Sequence, residues 1–275
     1  AEAPEIAVPI TLTAGPERGA LTAEVDVGGA KSSFDRTVIA HPHLPERTIL
    51  RPATLDVVPV ALDRGGVSRI GYLAGSGDEV GAGLRDLGYA VEPVDVGAAR
   101  SGSLARYDAV ILGIRAFNTR PELFAARGAL LDYVARGGRV IVQYNTSPER
   151  APLAPIGPSP LVVGRGRVTE QDAPMTPIDP SDPVVTSPNR LDAADYAGWV
   201  QERGLYFAET WDPAYRPVFR TSDTGEEPLE GSLLLARHGE GVFVYTGLAF
   251  FRQLPAGVPG AARLLANVLA IETGK

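Results

Sequence analysis

Three stretches of the chain limit its fold more than any others: "VSRIGYLAG" (67–75), "YDAVILGI" (107–114) and "RVIVQYN" (139–145). Each is apolar over consecutive residues rather than at every second one, so each needs cover on both faces. Between them lie helical segments. "DEVGAGLRDLGY" (78–89) opens on Asp78 as an N-cap, and "PELFAARGALLDYVARGG" (121–138) has Pro at its start and Gly at its end. "AVEPVDV" (90–96) adds a further strand. Buried strands alternating with helices predict a mostly parallel sheet with helices on both faces, an α/β domain over residues 67–275.

The first 66 residues read differently. "EIAVPITLTA", "ALTAEVDV", "FDRTVIA" and "TLDVVPVAL" alternate in polarity and are separated by Gly, Pro and charged turns. That pattern predicts hairpins packed as a small, sandwich-like β domain ending at Arg64-Gly65-Gly66. Residues 147–195 are rich in Pro and read as long ordered loops with brief strands such as "PLVVGRGRV". The last third offers a hairpin, "GSLLLARHGEG" with "VFVYTGLAFF", and a closing helix, "GAARLLANVLAIE".

Charge excludes one class of partner. The formal net charge is −7, with 26 basic against 33 acidic residues, and no local basic run. Nucleic acid is therefore not expected, because phosphate binding draws on clustered Lys and Arg. No apolar run approaches the roughly 18 residues that cross a bilayer. The absence of cysteine excludes disulfides, thiolate catalysis and Cys-ligated zinc, and is compatible with either side of a membrane.

Several local patterns resemble sites. Gly75-x-Gly77-x-x-x-Gly81, with Asp95 after the next strand, approximates a dinucleotide turn. Its spacing departs from the fingerprint, and Asp78-Glu79 place negative charge where a pyrophosphate would sit. A tight turn with an Asp cap is the better reading. His41 and His43 fall short of a metal ligand set, and His238 lies in an expected hairpin turn. Ser147 has no elbow frame, and Glu170, Asp172, Glu202 and Glu209 cannot be paired from spacing alone. No catalytic residue, cofactor or metal is assigned.

A polar set is more suggestive. Arg115 and Asn118 follow the strand at 107–114, while Gln143, Tyr144 and Asn145 end the next one. Open α/β sheets bind ligands outside these carboxyl ends. "GWVQERGLYF" adds Trp199, Gln201, Glu202 and Arg203. These nine residues are the candidate ligand cleft, suited to a sugar or a carboxylate, and the same residue types also cap loops. Arg252 and Gln253 read as the structural entry to the last helix.

"GIRAFNTR", "GGRVIVQYNT", "GWVQERGLYF" and "YTGLAFFRQLPAGVPGAARLLANVL", with "AHPHLPERTILRPA" and "IGYLAGSGDEV" upstream, resemble the C-terminal region of bacterial PIG-L/LmbE-type deacetylases. The resemblance runs from about Phe34 onward. It implies a small β domain followed by a class I glutamine-amidotransferase-like, ThuA-like domain of flavodoxin type. Two departures bear on function: "AHPH" (40–43) does not match the Ala-His-Pro-Asp-Asp zinc motif, and no Cys occupies the elbow at "QYN". The expectation is a non-catalytic, extracytoplasmic accessory or scaffold subunit that binds a protein partner. An extrinsic subunit of a membrane-bound respiratory or photosynthetic complex is one example. The alternative is a carbohydrate-binding or carbohydrate-processing unit using the polar cleft.

Overall fold

A computed structural model describes residues 15, 17–100, 102–147 and 153–274. Contacts divide the chain into two compact units, residues 1–61 and 62–275. The Arg64-Gly65-Gly66 turn therefore lies inside the second unit.

In the first unit, β1 (Gly19–Thr22) pairs with β6 (Thr54–Val57), β2 (Val25–Val27) with β3 (Ala30–Ser32), and β4 (Phe34–His41) with β5 (Leu44–Pro52), all antiparallel. The expected hairpins are present, but no shared buried core joins the described strands. Every residue of β1 to β4 is exposed, and in β5 and β6 only Ile49 and Val57 are half-buried. The expected strand over residues 5–14 lies outside the described residues.

The second unit continues with β7 (Arg69–Leu73), α1 (Val80–Asp86), β8 (Ala90–Pro93), α2 (Val96–Arg100), β9 (Ala109–Leu112), α3 (Ala116–Thr119), α4 (Glu122–Ala135) and β10 (Arg139–Gln143). Next come β11 (Leu161–Val168), β12 (Met175–Pro177), α5 (Pro183–Thr186), β13 (Gly204–Trp211), β14 (Tyr215–Pro217) and β15 (Phe219–Thr221). β16 (Leu233–His238), β17 (Gly241–Thr246), α6 (Phe250–Gln253) and α7 (Pro259–Leu269) complete it. Seven strands form one sheet in the order β14-β16-β17-β10-β9-β7-β8. β8, β7, β9, β10 and β17 run parallel, and β16 and β14 extend the sheet antiparallel.

The continuous apolar strands divide their side chains between two cores. Ile70, Ile111, Ile141 and Val244 join Leu84 of α1, Phe250 of α6 and Leu264 and Leu265 of α7. Leu73, Val110, Val140, Val142 and Phe243 join Phe117 of α3 and Leu123, Leu130 and Val134 of α4. Each fully buried Val, Ile or Leu contributes about 1.5–3 kcal/mol, which explains why these strands carry so little polarity.

A clamp of amides fixes the start of this unit to its last helix. Asn267 in α7 accepts through Oδ1 from the Asn189 backbone N–H and side-chain Nδ2, both at 2.9 Å. Its own Nδ2 donates to the carbonyls of Val184 and Asn189. Asn189 in turn exchanges hydrogen bonds with the Asp63 backbone, accepting from N–H at 2.9 Å and donating to the carbonyl at 2.7 Å. Both side-chain amides of this exchange are therefore satisfied inside the protein.

Candidate functional site at the sheet's carboxyl end

The turn after β7 closes onto β9. A Cβ added to Gly75 would stand 2.0 Å from the Ile114 carbonyl oxygen and 2.8 Å from the Ala116 nitrogen, so the two backbones are in contact. The Ser76 N–H donates to that carbonyl at 2.9 Å. Asp78 then uses both carboxylate oxygens internally. Oδ1 accepts from the Tyr72 hydroxyl and from the Val80 N–H, and Oδ2 accepts from the Ile114 N–H at 3.0 Å. Burial, and then Asp78, hold the Tyr72 phenol far above its ordinary range, so it remains a donor. Asp95 accepts from the Ala98 N–H at 2.6 Å at the start of α2. The Gly-rich turn is a sealed structural joint whose anion-binding position is taken by a carboxylate.

The ends of β9 and β10 are stitched together by side-chain amides. Asn118 donates through Nδ2 to the Thr146 carbonyl at 2.9 Å and accepts from the Thr146 N–H at 2.8 Å. Asn145, fully buried, accepts from the Phe117 N–H and donates to the Gln143 carbonyl, each at 3.0 Å. Both asparagines thus stand in for backbone pairing where the strands have ended. Gln143 donates to the Tyr72 hydroxyl at 3.3 Å, and its buried Oε1 has no partner among the described residues.

The segment 199–203 is packed inward. Trp199 is buried, donates from its indole to the Asp195 carbonyl at 3.2 Å, and lies 5.3 Å from the Arg203 guanidinium. Arg203 donates to the carbonyls of Ala173 and Tyr196 at 2.8 and 2.6 Å. Burial lowers its pKa to about 10, which leaves it cationic at neutral pH. The exposed Gln201 donates its N–H to the Gln171 side chain. Glu202, its side chain 5% exposed, is held between Arg252 at 2.8 Å and Arg167 at 2.9 Å. Gln253 fixes this turn by donating to the Val200 and Glu202 carbonyls and accepting from the Val200 N–H. With both oxygens engaged by guanidiniums, Glu202 is an ion-paired strut.

Of the nine residues read as a cleft, Arg115 and Gln201 are exposed with side-chain polar atoms unspent among the described residues, while Tyr144 is buried and its hydroxyl has no hydrogen bond among them. The structure adds neighbours that the sequence reading left out. Tyr206 stacks on Tyr144 with ring centres 5.7 Å apart and planes at 11°, and Phe251 packs on it at 5.4 Å. Arg252 lies 4.8 Å from the Phe251 ring. Strand alternation was the available signal for Tyr206, since it points it away from the face used by its buried neighbour Phe207. Among the described residues the non-glycine residues with left-handed φ are Arg115 (56°), Gln201 (65°) and Tyr206 (52°). Each such conformation costs of order 1 kcal/mol or more, and strain of this kind gathers at binding and catalytic sites.

Other sequence candidates fall away from this site. His41 and His43 stack on each other at 5.8 Å, and no group of three metal-ligating side chains occurs among the described residues. His238 is half-exposed at the end of β16. Glu170 accepts from the Thr224 N–H and hydroxyl, tying a loop. A separate groove of 670 Å³ is lined by Phe207, Glu209 and Trp211 of β13 together with Leu229.

No protein-family model matches the chain, and no curated protein matches it. Solved structures do align with it. Cytoplasmic protein STM3548 from Salmonella typhimurium is 12% identical with a TM-score of 0.48, over 88% of this chain and 96% of that one. Cytoplasmic protein STM1381 from Salmonella typhimurium LT2 is 13% identical with a TM-score of 0.47, over 74% and 99%. A cold-adapted β-galactosidase from Rahnella sp. R3 is 11% identical with a TM-score of 0.42, over 72% of this chain and 30% of its own. Two of these neighbours are described as cytoplasmic proteins, which runs against the extracytoplasmic location expected from the sequence. That expectation is withdrawn: a chain without cysteine suits either compartment and supplies no address of its own. Among the described residues no helix is long and apolar enough to cross a membrane.

Proposed function

We propose that this protein is a non-catalytic interaction module, an accessory or scaffold subunit that binds a protein partner through its first unit. The observation that carries the reading is where its apolar surface lies. Ten large hydrophobic side chains are exposed among the described residues, and nine of them fall in the first unit: only Val162 lies elsewhere. In the β4–β5 hairpin, Phe34 (58% exposed), Val38 (41%) and Leu50 (60%) share one face, because Phe34 pairs with Pro52, Arg36 with Leu50 and Val38 with Thr48. Contiguous exposed apolar surface of this kind belongs to protein interfaces.

The second unit is the rigid body that carries this module. Its parallel strands, numbered in order of appearance, run 2-1-3-4-5, the order of a flavodoxin-type, amidotransferase-like domain. That order supports the resemblance to the region that follows the deacetylase domain in PIG-L-type proteins. Carbohydrate processing is the weaker reading, because it asks for a carboxylate open to the substrate and both oxygens of Glu202 are occupied by guanidiniums.

The test is native purification of the full chain from its source, with and without mild detergent, beside the Phe34→Asp/Leu50→Asp double variant. Stoichiometric recovery with one protein, lost in the variant while the second unit melts as in wild type, supports the module. A wild-type chain that runs alone in both conditions overturns it.

A further inference from the structure

The groups around Tyr144 are arranged beyond what a scaffold needs. Each left-handed residue sets one part of the same surface. At Arg115 the backbone N–H holds the Tyr144 carbonyl at 2.7 Å, while the guanidinium has no hydrogen bond or ion pair among the described residues. At Gln201 the turn presents Glu202, which fixes Arg252 through its Nε. At Tyr206 the backbone places the ring flat against Tyr144, held by the Tyr245 hydroxyl donating to the Tyr206 carbonyl at 2.6 Å.

The open charged groups of this surface are donors. Among the described residues the exposed Arg115 side chain has no partner, Arg252 is 35% exposed with Nε as its one bonded nitrogen, and the hydroxyl of the buried Tyr144 has no hydrogen bond. The acceptors of Glu202 are already used by Arg167 and Arg252. Two guanidiniums therefore clasp one carboxylate, and Arg115 adds a third cation near the Tyr144 hydroxyl, in a protein whose net charge is −7. The charged groups acting on the Tyr144 hydroxyl are Arg115, Arg252 and Glu202. A locally positive surface rich in donors is complementary to an anion that only accepts, and the planar fork of arginine matches a carboxylate. The half-buried rings of Tyr206 and Phe251 offer flat apolar contact for the body of such a molecule.

We infer that the carboxyl end of β10 binds a small ring-bearing organic acid. Its carboxylate sits between Arg115 and Arg252 with the Tyr144 hydroxyl as a further donor, and its ring lies against Tyr206 and Phe251. This site is independent of the protein-binding face of the first unit.

The test uses the full chain and four probes in titration calorimetry: benzoate and D-glucuronate, with benzyl alcohol and D-glucose as uncharged counterparts. At least one acid binds saturably, its uncharged counterpart does not, and Arg115→Gln weakens the acid about tenfold or more, as expected for a lost charged hydrogen bond. Arg115→Gly separates binding from structure. Glycine accepts φ 56° without strain but loosens the unfolded chain, two effects of about 1 kcal/mol that offset each other, so this variant melts close to wild type while losing the acid. Absence of saturable binding by either acid overturns the inference. So does equal binding by Arg115→Gln or by Arg115→Gly.

Discussion

Replacing Glu202 with Gln keeps the shape of the side chain and removes its charge. The side chain is 5% exposed, and its two oxygens meet Arg252 at 2.8 Å and Arg167 at 2.9 Å. Glutamine keeps one oxygen for one arginine and turns an NH2 group toward the other, so one charged hydrogen bond is lost and donor faces donor. A hydrogen bond to a charged group contributes about 1.5–3 kcal/mol. Arg167 and Arg252 are 57% and 35% exposed and can rehydrate, which moves the cost toward the lower end. We expect a loss of about 2 kcal/mol, or a melting temperature lower by about 4–8 °C for a unit of this size. Differential scanning calorimetry at neutral pH measures it, and the cycle with Arg252→Met isolates the pair. The two single changes should be less than additive by about 1 kcal/mol or more. A Glu202→Gln protein that melts within about 1 °C of wild type, or above it, would refute the strut. A rise in stability would instead mark Glu202 as a carboxylate held against its preference, as functional acids often are.

Two further outcomes test other parts of the second unit. Gly75→Ala places a methyl 2.0 Å from the Ile114 carbonyl oxygen and should cost about 3 kcal/mol in urea unfolding, a change that an open nucleotide-binding turn would tolerate. Burial would raise the Asp108 pKa, but the Arg69 and Ser68 N–H groups, the Ser68 hydroxyl and Arg139 outweigh it and hold the group below 3.8. Its contribution is therefore complete above the unfolded value near 3.8 and is lost as pH falls through the lower folded value. Asp108→Asn should lower stability at neutral pH and flatten the acid limb below pH 3.8, read by thermal melts from pH 7 to 2.5, and an unchanged limb would remove Asp108 from the account.

The parallel core was legible because burial on both faces leaves a direct mark on composition. Ile141 and Val142 are consecutive residues that enter opposite cores, which only an uninterrupted apolar run can provide. The β16–β17 hairpin was also legible, since its turn is local in sequence. Its lateral pairing with β10, Val140 to Phe243 and Ile141 to Val244, joins residues about a hundred positions apart and leaves no local signature. In the first unit, alternation predicted strands correctly but not a shared core, because alternation records two unlike faces without saying what covers the apolar one. Asn118, Asn145, Gln143, Trp199 and Arg203 have the composition of a binding cleft, yet their bonds run to loop backbone and to one another. The same side chains serve either purpose, and only their partners distinguish the two. The left-handed backbone at Arg115, Gln201 and Tyr206 cannot be read from residue types that normally avoid it.

The amide clamp of Asp63, Asn189 and Asn267 has a mechanical consequence. The chain enters the second unit and forms its last helix at sites bonded to one and the same asparagine side chain. A pull on the polypeptide at that entrance is therefore borne first by Asn189, and the load reaches the seven-stranded sheet only after those bonds give way. For the same reason the unit behaves as a cassette: with its two ends moored together, it could be spliced into a loop of another protein, or rejoined end to end and reopened elsewhere, without stretching the sheet.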